Sequence, residues 1–147
     1  KLEKLAKFDV HSIEQPIAVG LWDEMRYLCK NSPIGIALDE ELIGIHTQED
    51  RIRMMEAINP QSLVIKPTLH GGFKGAEEWI KLCKQMGIGW WVTSALEGNI
   101  GLDAIADWLQ GQEFEGRAHG LGTGLLYVKN YDSGYGLKGD EMVHIRS

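Results

Sequence analysis

The sequence predicts an α/β chain built on parallel strands, and three observations carry that prediction. Short apolar or β-branched runs alternate with stretches whose apolar residues recur every three or four positions. No hairpin signature joins one run to the next, so the strands connect through helices and lie parallel. Polar residues close the runs at nearly constant intervals: Glu14, Asp39, Lys66, Ser94 and Gly120 stand about 25, 27, 28 and 26 positions apart. One interval is the length of one strand-plus-helix unit. Repeated units with a polar group at each strand's carboxyl end predict a (β/α) TIM-type barrel with its site at that rim. The rival is a doubly wound open sheet, which usually carries a glycine-rich phosphate loop after its first strand, and none is present. About five strands are legible where a barrel needs eight. The chain therefore reads as the C-terminal part of a barrel, about strands four to eight.

Each element has its own signal. Residues 2–8 place Leu2, Leu5 and Phe8 at helical spacing, as the last turns of a helix. Residues 10–17 read as a short strand ended by Pro16. Residues 21–30 carry Leu21, Trp22, Met25, Leu28 and Cys29 on one helical face, and Asn31-Ser32-Pro33 stops them. Residues 34–38 (IGIAL) are the next strand, running into Asp39-Glu40-Glu41. Thr47 to Asp50 resembles a capping box with Asp in place of Glu or Gln, and Ile52, Met55 and Ile58 give that helix its apolar stripe. Leu63-Val64-Ile65 is a strand buried on both faces, ended by Pro67 and followed by the turn-permitting Gly71-Gly72. Residues 75–85 form a helix with Trp79, Ile80 and Cys83 inward and Gly87 as C-cap. Residues 88–92 (IGWWV) are a strand in which Trp90 and Trp91 face opposite sides. Residues 102–109 are a helix, residues 118–121 a strand candidate, and residues 142–145 one late strand in a polar, glycine-rich tail. The run 113–117 reads as a solvated connection.

A chain of 147 residues is long enough for one domain with a real core. A net charge of −6 argues against a general nucleic-acid grip. No apolar run is long enough to cross a bilayer, and no signal peptide is visible. Lys1 is not a natural start, so an earlier N-terminus is expected. Cys29 and Cys83 sit in helical patterns and read as reduced core residues, which fits a cytoplasmic protein.

Glu14 and Asp39 close successive strands and are expected in one mouth. Two carboxylates brought together repel unless a cation separates them, and an oxygen-only donor set suits Mg²⁺. Each acid equally suits a helix cap or a lysine partner, and spacing alone leaves both readings open. Lys66, at the end of a buried strand, either caps that strand at the surface or, if enclosed, needs an anion beside it. Facing a metal-held carboxylate, it can move a proton or stabilise charge as an ammonium. His11, His46 and His144 read as surface residues. His70 and His119 are candidates for the pocket border, and Glu97 for a bond within its own loop. Glu40 or Glu41 could orient a neighbouring group, although a surface face fits them as well.

The strings IEQP, ALDEE, VIKPTLHGG, VTSALEGNIG and AHGLGTG, in this order, resemble the enolase superfamily and, within it, the muconate-lactonizing subgroup. The resemblance covers nearly the whole chain, and its specific part is K-P-x-x-x-G-G after a D-E pair. It implies Mg²⁺ ligands at Glu14 and Asp39, a catalytic lysine at Lys66, and substrate contacts at Thr93, Ser94 and Gly120, within loops 93–97 and 120–123. It implies a barrel part over residues 1–126 and a tail over 127–147 packing toward a capping domain that this chain does not contain. The partners implied are the rest of that barrel, a small carboxylate substrate and, through self-association, a second copy.

The activity implied is a Mg²⁺-dependent lyase of menaquinone biosynthesis. It takes a proton α to a carboxylate and then eliminates water from a succinyl-hydroxy-cyclohexadiene carboxylate, giving o-succinylbenzoate. The family's second-strand lysine pair and third-strand aspartate ligand are not in this chain, which is expected to be inactive alone. The alternatives are an N-acyl amino acid racemase or dipeptide epimerase of the same superfamily, or a non-catalytic assembly fragment. The absence of an acid in Gly120-Leu121-Gly122-Thr123 counts against the dipeptide epimerase.

Overall fold

The structure is a computed structural model that describes residues 1–112, 118–122 and 126–145. The residues 113–117 and Thr123, to which the sequence assigned a connection and part of a loop, lie outside the described residues. The chain divides into two compact units, Lys1–Trp91 and Val92–Ser147. Each is described by itself.

In the first unit, α1 (Leu2–Leu5) and a 3₁₀ turn (Ala6–Phe8) precede β1 (Ser12–Glu14), α2 (Trp22–Asn31) and β2 (Gly35–Leu38). A second 3₁₀ turn (Glu40–Leu42) leads to α3 (Gln48–Ile58), β3 (Ser62–Ile65), α4 (Gly72–Met86) and β4 (Gly89–Val92). The sheet order is β1-β2-β3-β4. The β1–β2 and β2–β3 pairs are parallel, with Glu14 opposite Ala37 and Leu38 opposite Leu63. Parallel pairing in sequential order is what helical crossovers dictate. The register also brings the carboxyl ends of the strands to one rim.

β3 is buried at all four positions, which explains why it reads as an unbroken apolar run rather than an alternating one. Ile36, Leu38, Leu63, Val64 and Ile65 of the strands, Met25 of α2, Met54, Met55 and Ile58 of α3, and Trp79 and Cys83 of α4 are all fully enclosed. The stripe expected on α3 is shifted: Ile52 is only half-buried, while Met54 is enclosed. Arg51 is enclosed too, which the sequence did not suggest. Its guanidinium pairs with Glu78 at 2.5 Å and lies 5.3 Å from the Trp79 ring, so charge and π-face both compensate its burial. Leu5 and Phe8, whose spacing marked the first helical turns, are exposed.

The helix ends follow their signals. The Thr47 side chain accepts a hydrogen bond from the Asp50 N–H at 3.1 Å, and Asn59 takes the left-handed conformation after Ile58. α4 begins at Gly72, three residues before the expected start, because Gly71 at φ 91° turns the chain directly into the helix. Gly75, in its first turn, is packed against the preceding loop: a Cβ there would lie 2.0 Å from the His70 carbonyl oxygen. Gly87, at φ 68°, closes the helix as expected.

In the second unit, α5 (Asn99–Gln110) is followed by β5 (Tyr135–Lys138) and β6 (Glu141–His144). These two strands form an antiparallel hairpin, which corrects both the single late strand and the statement that no hairpin is present. The missed signal is Gly139-Asp140, a two-residue turn with Gly139 at φ 68°. The strand candidate at 118–121 reduces to one isolated parallel bridge between Thr93 and Gly120. The segment before the hairpin is tied to α5: Asp103 accepts from the Ser133 hydroxyl at 2.7 Å and the Gly134 N–H at 2.9 Å. Among the described residues, no helix is long and apolar enough to cross a membrane.

Thr47→Ala removes the cap of α3 and is expected to cost about 1 kcal/mol of unfolding free energy. Urea denaturation at pH 7 measures it.

Candidate active site

Asp39 stands one residue past β2 and is almost wholly enclosed, at 1% exposure. Lys66 stands one residue past β3, and its ammonium donates to Asp39 Oδ2. The anion that the buried-strand lysine required is therefore Asp39. The other oxygen, Asp39 Oδ1, is buried without a partner among the described residues.

Glu14, at the end of β1, completes the cluster. Its surroundings push the carboxyl up to about 7 through burial, a hydrogen bond to Asp39 and the like charge of Asp39, against the lowering pull of Lys66. Much of the Glu14 surface is open to solvent, so the closeness of Asp39 is the sturdier cause. The structure thus brings Glu14, Asp39 and Lys66 together.

An unfilled buried carboxylate oxygen beside an acid that resists ionisation fits a divalent cation held by oxygen ligands. Among the described residues, no group of three acidic, histidine or cysteine side chains could hold a metal. The pair Glu14–Asp39 would supply two oxygen ligands to such a cation, which would need further ligands from elsewhere.

Two supports were not legible in the sequence. His70, at 2% exposure, accepts the Lys66 backbone N–H on Nδ1 at 3.0 Å, which places its own proton on Nε2. Burial is the chief cause that lowers its pKa to about 4, so the ring is neutral near pH 7. Gln15, directly after Glu14, joins the ends of β1 and β2. Its side-chain oxygen accepts the Asp39 N–H at 3.2 Å, and its Nε2 donates to Glu41 at 3.2 Å. Glu41 is buried rather than on a surface face. His11, His46 and His144 are exposed, as expected.

In the second unit, Thr93, Ser94 and Gly120 also come together. The Ser94 N–H donates to the Gly120 carbonyl at 3.0 Å, and the Gly120 N–H donates to the Val92 carbonyl at 2.8 Å. A Cβ at Gly120 would lie 2.7 Å from Thr93 Cγ2, so only glycine admits this approach. The Val92 N–H donates to His119 Nδ1 at 3.0 Å, and burial lowers the His119 pKa. Glu97 accepts from the Ala95 N–H within its own loop.

A parallel α/β chain with two acids and a lysine gathered at its strand ends defines a barrel-type enzyme domain. This chain belongs to the enolase C-terminal domain-like family, whose model matches residues 1–113. It is 50% identical over 139 residues to the o-succinylbenzoate synthase of Desulfotalea psychrophila, a match that covers 95% of this chain and 37% of the relative. The crystal structure of MenC from Desulfotalea psychrophila is 49% identical, with a TM-score of 0.87 over 98% of this chain and 40% of that one. The muconate lactonizing enzyme from Pseudomonas putida, at 22% identity, shares the fold with a TM-score of 0.84, over 99% of this chain and 40% of its own. The expected fold class, the parallel-stranded later part of a (β/α) barrel, is the one these neighbours share. The chain spans about two fifths of the length of the relatives it matches.

The lowered pKa of His70 sets a pH dependence. Between its unfolded value of 6.5 and its folded value of about 4, the unfolded chain binds a proton that the folded chain refuses. The contribution of neutral His70 is therefore whole above pH 6.5 and is lost as pH falls toward 4, at no more than about 1.4 kcal/mol per pH unit. Urea unfolding of the wild-type and His70→Asn chains from pH 7.5 to 4.5 should show a stability difference that shrinks in that window.

Proposed function

We propose that this chain is the C-terminal barrel segment of a Mg²⁺-dependent lyase. The enzyme dehydrates a succinyl-hydroxy-cyclohexadiene carboxylate to o-succinylbenzoate, a step of menaquinone biosynthesis, in the cytoplasm. In this reading residues 1–126 are barrel and residues 127–147 pack toward a capping domain. The observation that carries the proposal is the cluster of Glu14, Asp39 and Lys66, with Asp39 Oδ1 unfilled, in a chain half identical to a synthase.

Glu14 and Asp39 would hold the metal. Mg²⁺, when bound, supplies positive charge to the substrate's carboxylate oxygens. The chain's own residues do the rest. Asp39 anchors the Lys66 ammonium at the rim, so that side chain loses little freedom on meeting substrate. Lys66 faces the ring and stabilises the negative charge that builds as the α-proton leaves. His70 holds the Lys66 peptide in place and contributes no charge of its own at neutral pH. Thr93, Ser94 and Gly120 contact the distal part of the substrate. The α-proton passes to a base outside this chain, and hydroxide departs from the ring.

Two variants of the intact parent enzyme test this. Lys66→Ala is expected to lower kcat by about 10² to 10⁴ while leaving Mg²⁺ affinity within a few fold. Asp39→Asn is expected to weaken both Mg²⁺ binding, read by calorimetry, and turnover. An intact parent that racemises N-succinyl amino acids and leaves the cyclohexadiene carboxylate untouched would overturn the lyase. The 147-residue chain alone is expected to show no turnover of either substrate.

A further inference from the structure

We propose that Gln15 and Glu41 form a clamp that sets the spacing of the two ligand carboxylates, making both of them positioning residues for the metal. The proposal rests on the metal reading above and adds to it the residues that hold the site's geometry.

Gln15 follows Glu14 in a left-handed conformation, φ 37°, which costs a non-glycine residue energy and persists only where its surroundings enforce it. The enforcement is visible. Its backbone N–H donates to the Ala37 carbonyl at 2.9 Å, on the neighbouring strand. Its side-chain Oε1 accepts the N–H of Asp39 at 3.2 Å and that of Glu41 at 3.3 Å. Its Nε2 donates to the Ile17 carbonyl at 3.1 Å and to Glu41 Oε2 at 3.2 Å. One carboxamide thus ties the residue after the first ligand to the peptide of the second.

Glu41 fixes that carboxamide's orientation. It is 6% exposed and is held by neutral donors: the Trp22 indole N–H at 2.7 Å and the Gly20 N–H at 2.9 Å on Oε1, and Gln15 on Oε2. A buried carboxylate is costly unless hydrogen bonds compensate it. Here the three donors leave Oε2 turned to the Gln15 amide, so Gln15 presents its oxygen, and not its nitrogen, to the Asp39 peptide. Loss of the contact frees the amide to flip and leaves two peptide N–H groups without their acceptor. The displacement falls first on the residues next to it, which are Glu14 and Asp39.

The test uses the intact parent enzyme and Mg²⁺ itself. In Glu41→Gln, the new side-chain oxygen still accepts from Gly20 and Trp22, while its NH₂ meets the NH₂ of Gln15 and repels it. Mg²⁺ affinity by calorimetry should fall about 10- to 100-fold. The melting temperature in chelator should stay close to that of wild type. The exchanged pair, Gln15→Glu with Glu41→Gln, restores one donor facing one acceptor and should recover much of the lost affinity. Gln15→Glu alone sets oxygen against oxygen and carries the same expectation should Glu41→Gln fail to fold.

A Glu41→Gln enzyme that binds Mg²⁺ as tightly as wild type overturns the clamp. So does a lower melting temperature with unchanged affinity, or an exchanged pair no better than Glu41→Gln. A wild-type parent that binds no Mg²⁺ sinks the metal reading itself, and the clamp with it.

Discussion

The site depends on one enclosed carboxylate that must satisfy two neighbours of opposite kind. Asp39 holds the Lys66 ammonium on one oxygen and stands close enough to the second acid, Glu14, to raise its pKa. Buried ion pairs add little net stability, yet removing one partner costs about 3–5 kcal/mol because the other is left uncompensated. Asp39 is therefore fixed by the very cost of leaving Lys66 alone. The raised Glu14 carboxyl is the other side of the same crowding: with Asp39 and Lys66 ionised and paired, a second negative charge beside them is disfavoured.

The parallel register makes this crowding possible. β1, β2 and β3 end together, so residues far apart in the chain but one repeat apart in the fold arrive at the same rim. Their burial differs with position. Asp39 and Lys66 follow β2 and β3, which have a neighbouring strand on each side, while Glu14 follows β1, first in the order, and is exposed in a chain that spans about two fifths of its relatives.

What was legible in the sequence is what repeats. Alternation and even spacing gave the parallel fold, and the residue closing each period gave the polar Glu14, Asp39, Lys66 and Ser94 and, last, Gly120. What was not legible depends on contacts between periods. Arg51 looks like any charged helix residue until Glu78 and Trp79 are placed beside it by α4. Glu41 looks like the third acid of a surface run until Gly20 and Trp22 are seen donating to it. The role of His70 rests on a backbone bond four residues back, which no periodicity announces. The β5–β6 hairpin is a different miss: its Gly-Asp turn was in plain view, but expectation of a strictly parallel chain overrode it.

Gly75 illustrates how far from the chemistry such dependence reaches. It touches no ligand, yet any side chain there would press on the carbonyl of His70, whose ring holds the Lys66 peptide. Alanine would improve the intrinsic helicity of α4 and leave the net charge untouched. It would also drive a wedge into the loop that seats the lysine. A position with no charge and no side chain thus constrains the seat of Lys66 as firmly as the hydrogen bond it protects.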